Sequence, residues 1–288
     1  MRRGFETACE GVSKRLAPSP TRGLTHPPRP CLDRGTTRHR PERPPLPDPF
    51  RHHPELRGKI RPAAQSFFRD LDLAALDARV IAAGQPADWR TPDAVREANR
   101  RAWLADHRGH DLWVFAYGSL MWDPALDFSE VRHGTTEGFE RNFCLRDDGA
   151  RGSVEHPGLM AAIDGGGMCA GLVFRIEADK VEHETFVLFR REMIADGYRP
   201  VWLDVDTAHG PVRALSFAAN RACDNIVPGL PLEEQARMIA HAEGDLGSNF
   251  EYLDNLRAQL ALLGIEDAYV TALYARVTAL RAREGAQE

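Results

Sequence analysis

With 288 residues and an apolar share of 43%, the chain can form one large domain or two small ones around a real core. Its net charge of −5 is unevenly spread: residues 1–62 hold 14 Arg or Lys against 6 Asp or Glu, so the rest of the chain stands at −13. A body that acidic argues against a nucleic-acid partner, because phosphates are held by clustered cations.

Twelve of the twenty prolines also fall in residues 1–62. Each removes a backbone donor and turns its predecessor away from helix. With so little apolar surface to bury, residues 1–65 are expected to form a disordered Pro/Arg-rich extension. Order is expected near Ser66. Phe68, Leu71, Ala75, Val80 and Ile81 predict a helical stripe over 66–83. A second helix should open with Thr91 as N-cap and Pro92 at its first position. Residues 66–110 thus read as a helical segment ahead of a main domain over 111–284.

From Asp111 the pattern changes. The run Leu112-Trp113-Val114-Phe115-Ala116 predicts a strand buried on both faces. Strands are also predicted at Leu159–Ile163 and Cys169–Ile176, joined as a hairpin through Asp164-Gly165-Gly166-Gly167. A helix over 179–193 follows. Val201, Leu203 and Val205 then alternate with polar neighbours as a half-buried strand does, and Val212–Ala219 is the last strand. Three helical stripes close the chain: Leu232, Ala236, Ile239 and Ala240; Leu253, Leu256, Leu260 and Leu263; and Tyr269, Leu273, Val277 and Leu280. The second opens on a capping box, Ser248-Asn249-Phe250-Glu251. Strands first and helices last predict an α+β fold, a curved or barrel-like sheet with helices packed against it.

Four places carry candidate chemistry. Tyr117-Gly118-Ser119-Leu120-Met121-Trp122 follows the first strand, where a glycine and a small hydroxyl residue allow a sharp turn. Successive N–H groups of such a turn can converge on an anion or a polarised carbonyl. Arg151, in the polar loop Arg151-Gly152-Ser153-Val154-Glu155-His156-Pro157-Gly158, can pair with a carboxylate. Glu192 follows Leu188 and Phe189 at helical spacing and so borders the apolar face, where desolvation raises a carboxyl pKa towards proton-transfer work. Tyr198, in the turn Asp196-Gly197-Tyr198-Arg199, can donate a hydrogen bond. Each also has an ordinary alternative: a capped turn, a surface arginine, an exposed glutamate and a core tyrosine.

The five cysteines are far apart, with no CxxC pair or zinc spacing, and read as reduced thiols. The histidines lack ligand-spaced partners, so neither metal nor cofactor is expected. No apolar run approaches the roughly 18 residues of a membrane span, and none follows Arg2-Arg3. A cytoplasmic monomer without nucleic-acid or membrane partners is the expectation.

Taken in order, the segments resemble the ChaC-like family of glutathione-specific γ-glutamylcyclotransferases. Trp113-Val114-Phe115-Ala116-Tyr117-Gly118-Ser119-Leu120 is similar to the family's V-F-G-Y-G-S-L. Arg151-Gly152 with Pro157-Gly158 is similar to its R-G-x-x-x-x-P-G, and Arg191-Glu192 with Gly197-Tyr198 to its R-E…G-G-Y. Gly229 and Glu251-Tyr252-Leu253 extend the likeness over roughly residues 111–260. The resemblance implies a cyclotransferase-type barrel and conversion of glutathione to 5-oxoproline and cysteinylglycine without a cofactor. It implies Glu192 as acid/base and Ala116, Tyr117, Gly118, Ser119, Leu120, Met121, Arg151 and Tyr198 as substrate contacts. Two positions depart from the pattern: Ala116 replaces a glycine, and Asp196 replaces the first glycine of G-G-Y. If Asp196 lay close to Glu192, its charge would raise the Glu192 pKa further. Rival readings are a γ-glutamylcyclotransferase for another γ-glutamyl amine or peptide, a non-catalytic glutathione-binding module, and a nucleic-acid adaptor resting on the basic tail alone.

Overall fold

The computed structural model describes residues 47–82 and 84–284. Most of the proposed extension, residues 1–46, lies outside them. From Pro47 on, however, the chain packs on the main body, and the expected start of order at Ser66 is too late. Leu56 and Ile60 are buried in the same core as the sheet, and the Val131 N–H donates to the Pro49 carbonyl at 3.0 Å. Phe50 packs against that core as well, and Arg51 and Arg61 pair with Glu130 and Asp123, so apolar and ionic contacts together dock this stretch.

Among the described residues, five strands close into a barrel: β1 (Leu112–Ala116), β2 (Glu130–Asp147), β3 (Gly158–Ile176), β4 (Tyr198–Thr207) and β5 (Val212–Ala219). Their order is β1-β3-β2-β4-β5, closed by a parallel pairing of β5 with β1. β1 pairs with a neighbour on each side, as its unbroken apolar run predicts. The expected hairpin at Asp164–Gly167 does not form. Both predicted strands belong to β3, which runs antiparallel to β2 through a bulge where Gly166 and Gly167 have φ of 114° and 61°. The glycines accommodate the left-handed backbone of the bulge instead of a chain reversal.

Among the described residues six α-helices accompany the barrel: α1 (Leu73–Ala82), α2 (Asp93–Trp103), α3 (Val181–Glu192), α4 (Leu232–His241), α5 (Asn249–Leu262) and α6 (Ala268–Glu284). α1 is shorter than predicted, starts under an Asp72 cap, and buries none of its residues; Ile81 is exposed. α2 begins at Asp93 with Pro92 as its N-cap, while the Thr91 hydroxyl donates to Asp196. The stripes of α4, α5 and α6 face the core through Ile239, Leu253, Leu256, Leu273 and Val277. Among the described residues, no helix is long and apolar enough to cross a membrane.

Candidate active site

At the end of β1 the chain turns at Tyr117 and Gly118 into a single 3₁₀ turn, Ser119–Met121. Inside it, the N–H groups of Met121 and Asp123 donate to the carbonyls of Gly118 and Ser119. The N–H groups of Gly118, Ser119 and Leu120 find no acceptor among the described residues. Three successive donors at one turn are the arrangement needed to receive an anion or a carbonyl oxygen. Ala116, Leu120 and Met121 have their side chains in the core, so only their backbone can serve the site.

Glu192 ends α3, one turn beyond the fully buried Leu188 and beside Phe189. Its side chain is 11% exposed, and Arg191 Nε lies 2.9 Å from its carboxylate. Burial raises the Glu192 pKa above its ordinary value, against the opposing pull of Arg191. Arg191 also donates to Ser119 Oγ at 2.7 Å and to the Asp123 carbonyl. A single guanidinium fork therefore joins the turn after β1 to the carboxylate at the end of α3.

Three buried tyrosine hydroxyls lie near enough to feel the Glu192 charge. Burial pushes the hydroxyls of Tyr117 and Tyr198 well above their usual pKa, with the neighbouring Glu192 charge adding to the rise. Burial takes Tyr252 to about 12, again with Glu192 contributing. The Tyr117 and Tyr198 hydroxyls donate to the carbonyls of Phe217 and Ala161 at 2.6 and 2.9 Å. Tyr252 lies on α5, one turn past the Ser248 cap, with its hydroxyl against Gly118. A Cβ added at Gly118 would stand 3.0 Å from that oxygen.

The fold thus gathers Tyr117, Gly118, Ser119, Glu192 and Tyr198 at one place. Arg151 stands further out. Its guanidinium lies 5.9 Å from the Tyr252 ring and is paired with Glu251 at 2.9 Å, so it meets the group through Tyr252. Asp196 does not press on Glu192: it is exposed and held by Thr91, and the rise in the Glu192 pKa comes from burial. Arg191 and Tyr252 were not among the expected contacts. Both lie within the family-like segments Arg191-Glu192 and Glu251-Tyr252-Leu253 without a contact role assigned there, and their joint position follows from α3 and α5 meeting the β1 turn.

A family model described as ChaC-like protein matches residues 112–280. The chain belongs to the ChaC-like family. Among its relatives, the glutathione-specific gamma-glutamylcyclotransferase of Escherichia coli (strain K12) is 38% identical over 172 residues, covering 59% of this chain and 74% of that protein. The human glutathione-specific gamma-glutamylcyclotransferase 1 is 30% identical over 169 residues, covering 56% and 76%. A crystal structure of the glutathione-specific cyclotransferase from yeast superposes with a TM-score of 0.55 at 22% identity, covering 59% of this chain and 97% of that one. That likeness shows a shared fold.

Proposed function

We propose that this chain is a γ-glutamylcyclotransferase that converts glutathione to 5-oxoproline and cysteinylglycine, with Glu192 as the acid/base residue. One observation carries the reading. Glu192 is a desolvated carboxylate tied by Arg191 to a turn with three N–H groups that have no acceptor among the described residues. Family membership and the glutathione-specific cyclotransferase activity of the bacterial and human relatives support it.

The chemistry follows from that arrangement. The substrate's α-ammonium must lose a proton before its nitrogen can attack. The Glu192 carboxylate takes that proton, and its raised pKa makes the transfer less uphill. The amine then attacks the γ-carbonyl of the same molecule and closes a five-membered ring. Because both groups belong to one substrate, holding it folded supplies the proximity. Charge developing on the carbonyl oxygen is received by N–H groups of the Gly118–Leu120 turn; one such donor is worth about 3–4 kcal/mol in other enzymes. As the amide C–N bond breaks, protonated Glu192 returns its proton to the leaving nitrogen. The second proton lost by the ring nitrogen leaves with cysteinylglycine, whose freed amine becomes an ammonium. The new ring bond replaces the amide bond, and no covalent enzyme intermediate is formed. Tyr198 and Arg151 bind the remaining polar groups of the substrate in this reading.

Residues 111–284 form the cyclotransferase domain behind a helical segment over 66–110. The protein works as a monomer in the cytoplasm, with glutathione and neither nucleic acid nor membrane as partner. Reduced Cys144, Cys169 and Cys223 support a reducing compartment; burial pushes the first two thiols up to about 12 and 11.

The test is incubation of the purified chain with glutathione, measuring 5-oxoproline and cysteinylglycine by chromatography. Equal amounts of both are expected. Turnover of γ-glutamyl amines but not glutathione would reassign the substrate. Saturable glutathione binding without 5-oxoproline release would leave only a binding module.

A further inference from the structure

The dipeptide Phe68-Arg69 lies ahead of the segment that matches the family, yet it is fastened to α3 from both sides. Arg190 donates to the carbonyls of Phe68 and Arg69 at 2.9 and 2.6 Å. Arg69 forms a two-pronged pair with the buried Glu184, one bond at 2.8 Å, and donates to the Ala125 carbonyl at 3.1 Å. Glu184 also accepts the Asp127 N–H at 2.9 Å, which ties the loop after the β1 turn into the same knot. Held this way, the Phe68 ring lies over the Arg191 guanidinium, 4.0 Å from its central carbon to the ring centroid.

We propose that Phe68 is a positioning residue for the candidate active site: its ring covers the outer face of Arg191 and keeps the guanidinium fork between Ser119 and Glu192. Three of the fork's contacts lie along its edge, on Ser119 Oγ, the Asp123 carbonyl and Glu192, so its flat face is left for a π partner. An aromatic ring on that face attracts the cation and keeps water from competing for its N–H groups. An aliphatic residue of similar bulk fills the space without that attraction. The segment outside the family match thereby helps to fix the geometry of Glu192. The kinetic side of this inference rests on the proposed cyclotransferase reaction.

The experiment compares Phe68→Leu and Phe68→Tyr in the full chain. Hydrogen exchange of the Arg191 Nε–H, followed by NMR, reads the clamp without any substrate. Exchange should speed up about tenfold in Phe68→Leu and stay near wild type in Phe68→Tyr. With glutathione, Phe68→Leu should lower kcat about tenfold with KM within twofold, and Phe68→Tyr should restore it. Unchanged exchange in Phe68→Leu overturns the proposal, as does equal loss in both variants or a kcat loss that tracks the unfolded fraction by circular dichroism. If the wild-type chain releases no 5-oxoproline, the functional reading fails on its own, and the exchange measurement still decides whether Phe68 clamps Arg191.

Discussion

At Glu192 two effects oppose each other. Burial disfavours the carboxylate, while the Arg191 guanidinium at 2.9 Å favours it, and burial is the larger. Glu192→Gln keeps the shape and removes the proton acceptor. Turnover should fall by about 10²–10⁴-fold with an unchanged circular dichroism spectrum; near wild-type turnover would take Glu192 out of the mechanism. The kcat/KM profile of the wild type should fall on its acid side at a pH above 4.5, the ordinary value of this carboxyl, because the base is lost as it protonates. Stability carries the same signature. Between 4.5 and the raised pKa, folded Glu192 holds a proton that the unfolded chain has released, so wild type should lose stability relative to Glu192→Gln as pH rises through that window. Urea midpoints across a pH series read this directly; a difference that does not change with pH contradicts it. Gly118 offers a steric test. In Gly118→Ala the new methyl meets the Tyr252 hydroxyl at 3.0 Å, and we expect KM to rise about tenfold. The same change should cost less in a Tyr252→Phe background, and a double-mutant cycle measures the difference.

At the scale of elements, the site depends on how α5 is set against β3. Asn249, fully buried at the start of α5, accepts the Leu159 N–H at 2.7 Å and donates to the Leu159 carbonyl at 2.8 Å. Its amide thus stands in for a strand partner and fixes Tyr252 over the β1 turn. Asn249→Ala leaves both backbone groups without partners and should cost about 2–3 kcal/mol in chemical denaturation, a loss below 1 kcal/mol counting against this anchor. Such an anchor is not visible in the sequence, where Asn249 reads only as part of a capping box. β2 was hidden for a related reason. Its sequence from Glu130 to Asp147 is rich in charge and carries two glycines, so no alternation announces a strand, and its extended form comes from pairing with β3 along nearly its whole length. β1, by contrast, was legible because an uninterrupted apolar run has few other places to go.

Over the whole molecule, the stretch from Pro47 to Ser66 is part of the folded body. Leu56 is fully buried, so Leu56→Ala should lower stability by about 3 kcal/mol within one cooperative unfolding transition. A separate early transition would mean that this stretch is a loosely docked arm.

The sequence by itself determined the α+β class, the glycine turn after a buried strand and a carboxylate at the border of a helix's apolar face. These are local matters, governed by periodicity and by which residues tolerate a sharp turn. Only the tertiary structure decided that the turn and the carboxylate share one arginine, that Tyr252 shuts against Gly118, and that Phe68 lies on the far side of the fork. Local pattern says which face a residue presents. What that face meets depends on distant segments, and burial and charge at Glu192 are set by those distant partners.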